Sequence, residues 1–331
     1  MTESVPLLEL QHLGVTYRTD RGQVSAVDDV SLQVPMGASI GLVGESGSGK
    51  STVAMAILRL LPPNARVDGA VLVNGIDLTK QPDRRLDREW RWRQLAIVFQ
   101  KSLSALSPVH RIGVQMHDVL RTHEPDLTES QRKDRIEGVL AAVHLPARVL
   151  RSYPFELSGG MMQRTMIALG LVCNPPFVIF DEATTALDVI TQSQILGEIQ
   201  RLKEEFDLTT MVISHDVGVI NATTDIVAVL YAGQLMEVAP KRQFFTAPRH
   251  PYSQALIASV PRLRGTKERI TGIPGSLPDL AHPPGGCRFA PRCPHATPAC
   301  MEHTPPLIQI APGHMVRCTE FSMKADQDVT A

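Results

Sequence analysis

Gly44-Glu45-Ser46-Gly47-Ser48-Gly49-Lys50-Ser51 fits the pattern G-x-x-x-x-G-K-[ST], a spacing that cradles phosphate. Its glycines let the backbone curl so that several N–H groups point inward. The helix that follows adds a partial positive charge at its N-terminus. Lys50 would reach the β- and γ-phosphates of a nucleoside triphosphate such as ATP. Ser51 would offer its hydroxyl to Mg²⁺, with Thr52 next in the same helical turn. Phe177-Val178-Ile179-Phe180-Asp181-Glu182 is an apolar run closed by two acids. Asp181 would hold Mg²⁺ through its water shell, and Glu182 is placed to polarise the water that attacks the γ-phosphate. Upstream, Leu157-Ser158-Gly159-Gly160-Met161 opens a helical run. A hydroxyl, two glycines and a helix N-terminus would form a second anion site there.

Positioning these groups takes strands that end, and helices that begin, at the loops. Residues 1 to about 245 alternate β-branched runs with helix-like runs, the pattern of an α/β domain. Leu7 to Tyr17 and Ala26 to Val34 read as strands, and Val71-Leu72-Val73 before Asn74-Gly75 as a hairpin strand and turn. Ser39 to Val43 reads as a short buried strand, and Lys50 to Leu61 as the helix after the loop. Leu95 to Phe99 reads as another strand. Phe177 to Phe180 and Thr210 to Ile213 read as fully buried central strands. Between them Ile195, Ile199, Leu202 and Phe206 stand at helical spacing. Residues from about 102 to 175 lack strand signals and read as an inserted helical subdomain. After Pro248 the chain turns rich in Pro and Gly and reads as a separate, loop-rich appendage.

The 331 residues carry 43% hydrophobic and 20% charged side chains with a net charge of −1, the balance of a soluble globular protein with a sizeable core. Such a balance argues against a life on nucleic acid, which favours a basic face. Met1-Thr2-Glu3-Ser4 lacks the start of a signal peptide, and apolar stretches such as Ile226 to Leu230 fall far short of the roughly 20 residues that span a bilayer. The expectation is that any channel is supplied by other chains.

In this order the motifs resemble the ATP-binding domains of ABC transporters, with Leu157-Ser158-Gly159-Gly160 at the place of the family signature. The resemblance covers roughly residues 7 to 245. It implies a P-loop NTPase fold with an antiparallel β subdomain and an inserted helical subdomain, the nucleotide-binding domain spanning residues 1–247. It gives Tyr17 the adenine-stacking place and Gln100 the glutamine that contacts Mg²⁺ or water. Ala186-Leu187-Asp188 takes the segment that crosses a dimer interface, and His215 the histidine that touches the γ-phosphate. Family membership further implies that two such domains close head to tail. Each ATP then lies between one chain's phosphate loop and the other chain's Ser158, Gly159 and Gly160. Ala183, Lys101-Ser102 and Ala38 depart from the usual family residues without removing a catalytic group.

The tail narrows the resemblance. His250-Pro251-Tyr252, Ile273-Pro274-Gly275 and the run from Cys287 through Phe289-Ala290-Pro291-Arg292-Cys293-Pro294 resemble the carboxyl-terminal extension of oligopeptide, dipeptide and nickel importer ATPases, here residues 248–331. Cys287, Cys293, Cys300 and Cys318 crowd into this segment, whereas Cys173 sits alone in an apolar helical run. Their C-x5-C-x6-C-x17-C spacing is not the paired C-x2-C of a zinc ribbon. Four thiolates suit zinc or an iron–sulfur cluster, and reduced thiols remain a third alternative. The resemblance points to a [4Fe-4S] cluster of structural role.

The importer resemblance implies several partners. These are two polytopic membrane permease subunits, a second ABC ATPase (a relative or another copy) and an extracellular or periplasmic solute-binding protein, with no nucleic acid. The chain would sit peripherally on the cytoplasmic face of the cell membrane. Peptides are the cargo it implies first, with nickel chelates and other small solutes as alternatives. A second rival is a cytosolic redox or metal-delivery ATPase built on the cysteine cluster, and the main rival is a soluble ABC ATPase acting on nucleic acid or the ribosome. Its one basic candidate, the run Arg84-Arg85…Arg88…Arg91…Arg93, is interleaved with acids and Trp90 and Trp92, and reads as a solvated or packing helical face.

Overall fold

The computed structural model describes residues 5–20, 22–99, 105–184, 188–259 and 272–320. Strands β1 (Leu8–Thr19) and β2 (Gly22–Val34) come first, then β3 (Ser39–Val43) leads into helix α1 (Lys50–Ile57). Strands β4 (Ala65–Val73), β5 (Ile76–Asp77) and β6 (Leu95–Val98) follow. Helices α2 (Ile112–His123), α3 (Glu129–Ala142) and α4 (Gly159–Leu171) precede β7 (Phe177–Asp181), α5 (Val189–Glu205) and β8 (Thr209–Ser214). The chain continues through α6 (Val217–Thr223), β9 (Ile226–Tyr231), β10 (Gln234–Pro240), α7 (Lys241–Thr246) and α8 (Pro251–Ala258). It ends with α9 (Pro298–Glu302) and the hairpin of β11 (Ile308–Ala311) and β12 (His314–Val316).

Two compact units share these elements. One joins Leu8–Gln33, Ile40–Ile76 and Ile213–Ala331. In it β1 pairs antiparallel with β4, in the sheet order β2-β1-β4-β5. A second set of strands runs β11-β12-β10-β9-β3, antiparallel except for β3 beside β9. Every residue of β3 is buried.

The other unit joins Met1–Leu7, Val34–Ser39 and Asp77–Val212. Here β6 and β7 are parallel, and β7 is buried throughout. The Thr209 amide donates to Pro176 O at 2.9 Å, which seats the start of β8 beside β7. The expected helical segment is α2, α3 and α4. Helix α2 buries Ile112, Met116 and Leu120, one stripe at four-residue spacing. Thr128 and Gln131 cap α3 reciprocally, so its start is fixed locally.

Some expected elements differ. Helix α1 stops at Ile57, short of Leu61, because Arg59 turns to φ 50° ahead of Pro62-Pro63, and residues before proline are driven out of helix. The arginine run forms short helical turns over 83–90 that bury Trp90 and pair Arg85 with Glu89 at 2.7 Å. The tail, expected as a separate appendage, shares its compact unit with the phosphate loop, and β12 pairs with β10 through Glu237↔Val316 and Val238↔Met315. Strands β11 and β12 have four and three residues, too short for a legible alternation.

Candidate nucleotide site

The phosphate loop runs from the end of β3 into α1, and its geometry depends on glycine. A Cβ on Gly44 would stand 2.0 Å from Leu230 O, and one on Gly49, at φ 103°, would stand 2.4 Å from Ala26 O. Backbone meets backbone at both positions, so no side chain could move aside. Ser46, Gly47 and Ser51 are exposed at the loop's mouth, while Ser48 is buried. The Lys50 ammonium donates to Gly44 O and Glu45 O at 2.8 Å each, folding the side chain back across the loop. Tyr17 reaches the same helix start, with its hydroxyl 3.5 Å from Thr52 Oγ1. His215 follows β8 in this unit and is exposed, next to Asp216, which caps α6 by accepting from the Gly218 amide at 2.7 Å.

The remaining candidates belong to the other unit. Asp181 ends β7 and is buried. Glu182 follows in the left-handed region at φ 49°, a conformation that costs a non-glycine residue about 1–2 kcal/mol. Such strain concentrates at functional loops. Ser158 is the N-cap of α4, accepting from the Met161 amide at 3.3 Å, so Ser158, Gly159 and Gly160 form an open helix start. They line a cavity of about 520 Å³ with Arg164, Asp188 and Thr191. Asp188 caps α5, and hydrogen bonds from Thr191 and Ile190 hold its carboxyl below the usual range. Gln100, Lys101, Ser102, Ala186 and Leu187 lie outside the described residues.

Cys287, Cys293, Cys300 and Cys318 all line one cavity of about 230 Å³, together with His250 and Phe289. Burial pushes the Cys287, Cys293 and Cys318 thiols up. At Cys300 burial acts the same way, but hydrogen bonds from Thr297 outweigh it and hold this thiol below its ordinary value. No disulfide joins cysteines among the described residues. Four sulfur donors around one cavity are the composition a thiolate-bound metal group takes, although burial disfavours the thiolate at three of them. The geometry gives the iron–sulfur expectation no support: among the described residues no three His, Cys, Asp or Glu side chains are arranged to hold a metal ion.

Residues that sequence reasoning left without a role here are Tyr231, Tyr252 and Arg292, which surround Glu45 of the phosphate loop. Tyr252 and Arg292 lie in the tail motifs, but no local spacing signals their reach of 207 and 247 residues.

The family profile described as ABC transporter matches residues 27–185, and that described as oligopeptide/dipeptide transporter, C-terminal region, matches residues 236–300. The oligopeptide transport ATP-binding protein OppD of Salmonella typhimurium is 41% identical over 314 residues, covering 94% of this chain and 93% of that protein. The chain belongs to the ABC transporter family, in its oligopeptide/dipeptide branch. OppD of Haemophilus influenzae is 40% identical over 315 residues, covering 95% of this chain and 97% of its own. Among solved structures, the dimeric ATP-binding cassette MJ0796, in a post-hydrolysis state bound to ADP and Pi, matches with a TM-score of 0.63. It is 28% identical and covers 71% of this chain and 99% of that one. This ABC chain thus has the α/β ATPase fold expected from its motifs, and it is an ATPase subunit. No helix among the described residues is long and apolar enough to cross a membrane.

Proposed function

We propose that this chain binds and hydrolyses ATP to power a membrane importer of peptides. The reading rests on the cradle at Lys50, where Gly44 and Gly49 leave no room for side chains, in a chain similar to OppD along 94% of its length. The subunit would lie peripherally on the cytoplasmic face of the membrane. Its partners would be two polytopic permease chains, a second ATPase and a solute-binding protein on the other side.

Two chains would close head to tail, each ATP between one phosphate loop and the opposite chain's Ser158, Gly159 and Gly160. Tyr17 is assigned to the adenine, and Lys50 with the loop from Gly44 to Thr52 to the phosphates. Ser51, Gln100 and Asp181 are the residues that would hold Mg²⁺, which when bound neutralises phosphate charge. Glu182 accepts the proton of the attacking water. The bond from the γ-phosphorus to the bridging oxygen breaks, giving ADP and phosphate, and His215 is assigned to the γ-phosphate. Because ATP favours the closed pair, its hydrolysis shifts the population back to the open one.

Cys287, Cys293, Cys300 and Cys318 are assigned to a [4Fe-4S] cluster. When bound it would tie the loops of the extension together. Its support is the set of four sulfur donors around one cavity.

The decisive experiment is purification of the complete complex with its binding protein, followed by ATPase measurement across a solute screen. Peptides should stimulate turnover, and Lys50→Ala should weaken nucleotide binding itself. Stimulation by nickel chelates and not by peptides would reassign the cargo. A chain that co-purifies with no polytopic partner and binds RNA or DNA in a salt-sensitive manner would overturn the importer reading.

A further inference from the structure

Two residues from the last third of the chain, Tyr252 and Arg292, bond to Glu45, the second residue of the phosphate loop, and Tyr231 backs them. The Glu45 amide donates to the Tyr252 hydroxyl at 3.0 Å. Arg292 Nη1 donates to both Glu45 carboxylate oxygens, at 3.0 and 3.1 Å, and to the Tyr231 hydroxyl at 3.2 Å. The rest of the guanidinium is anchored as well, Nε to Pro274 O at 2.7 Å and Nη2 to Ile273 O at 3.3 Å. Its carbon stands 5.6 Å from the centroid of the Tyr231 ring, and Tyr231 packs edge-on against the fully buried Tyr252. On the other side of the residue, Glu45 O accepts from Lys50. Amide, carbonyl and carboxylate of Glu45 are therefore each fixed, two of the three by side chains of the extension.

A carboxylate inside an anion-binding loop repels the phosphate that the loop must receive. Here its charge, on a side chain 28% exposed, meets a guanidinium whose side chain is 5% exposed, so the pair is partly shielded from water. Arg292 immediately precedes Cys293, so the segment that holds Glu45 is also a wall of the thiol cavity.

The geometry points to Arg292 and Tyr252 as positioning residues for the phosphate loop: the carboxyl-terminal extension sets nucleotide affinity by neutralising and orienting Glu45. The inference rests on the reading that this loop holds Mg·ATP. It adds that the loop is not self-sufficient.

The test is a double-mutant cycle on ATP affinity, measured by equilibrium binding well below each variant's melting temperature. Arg292→Ala leaves the Glu45 charge exposed to phosphate and should weaken ATP binding about tenfold, within the coupling that neighbouring residues show. Glu45→Gln removes the charge that Arg292 balances, so E45Q/R292A should bind ATP severalfold more tightly than R292A. Tyr252→Phe keeps the ring and frees the Glu45 amide, and should weaken binding by a smaller factor. A purely structural Arg292 would predict equal weakening with or without the Glu45 charge. Binding by R292A equal to wild type, or E45Q/R292A as weak as R292A, overturns the inference. If R292A does not fold, Arg292→Gln completes the same cycle, with the charge removed and a polar side chain kept. Wild-type protein that binds no ATP would sink the nucleotide reading instead, so the two failures are distinguishable.

Discussion

At the scale of single residues, chemistry follows from what lies within a few ångströms. Gly44 is confined to glycine by Leu230 O, and that confinement curves the loop around the Lys50 ammonium. The cysteines offer the sharpest test at this scale. With a [4Fe-4S] cluster bound, purified protein should be brown with broad absorption in the visible blue, and Cys293→Ser should lose both colour and iron. Colourless protein with one zinc per chain would replace the cluster by zinc. Lys50, Ser51, Asp181, Glu182 and Ser158 can be proposed from the sequence because each sits in a contiguous motif whose spacing carries the chemistry. Arg292 and Tyr252 cannot, since a contact across more than 200 residues leaves no local periodicity.

Elements hold these residues by their ends and edges. The long buried strands β3, β7 and β8 could be read from apolar runs, because burial on both faces removes polar alternation. The hairpin β11–β12 could not, being short, and one buried carboxylate on β10 helps secure it. Glu237 is fully buried and accepts from the Arg249 amide at 2.9 Å and the His250 amide at 2.8 Å, while His314 Nε2 of β12 lies 2.8 Å from it. A polar residue amid the apolar run of β10 gives no hint in sequence that it ties the extension to the sheet. Glu237→Ala leaves the buried His250 amide, the Arg249 amide and the buried His314 ring without their acceptor. It should lower folding stability by roughly 2–4 kcal/mol, since each orphaned buried group costs about 1–3 kcal/mol. Denaturant unfolding measures the loss, and limited proteolysis should then cut within residues 248–320. A change below about 0.5 kcal/mol, the scale of a neutral surface substitution, would remove Glu237 from this role.

For the whole molecule, the question is how chains share their sites. If each ATP lies between two chains, a mutation in the phosphate loop disables the chain's own site, whereas one in the signature disables its partner's. Mixed dimers of this chain paired with itself separate the alternatives, using Glu182→Gln throughout so that bound ATP is trapped. A dimer of one Lys50→Ala chain and one Ser158→Ala chain places both lesions in a single shared site. The other site stays intact and should trap about one nucleotide per dimer. A dimer of one K50A/S158A chain and one chain without either change carries a lesion in each shared site, and should trap almost none. Sites contained within single chains predict the reverse, because the unmodified chain would keep its own site while the two single-lesion chains would each lose theirs. Tandem-tag purification of each mixed dimer and counting of trapped nucleotide therefore decides whether Lys50 completes its site with its own signature or with another chain's.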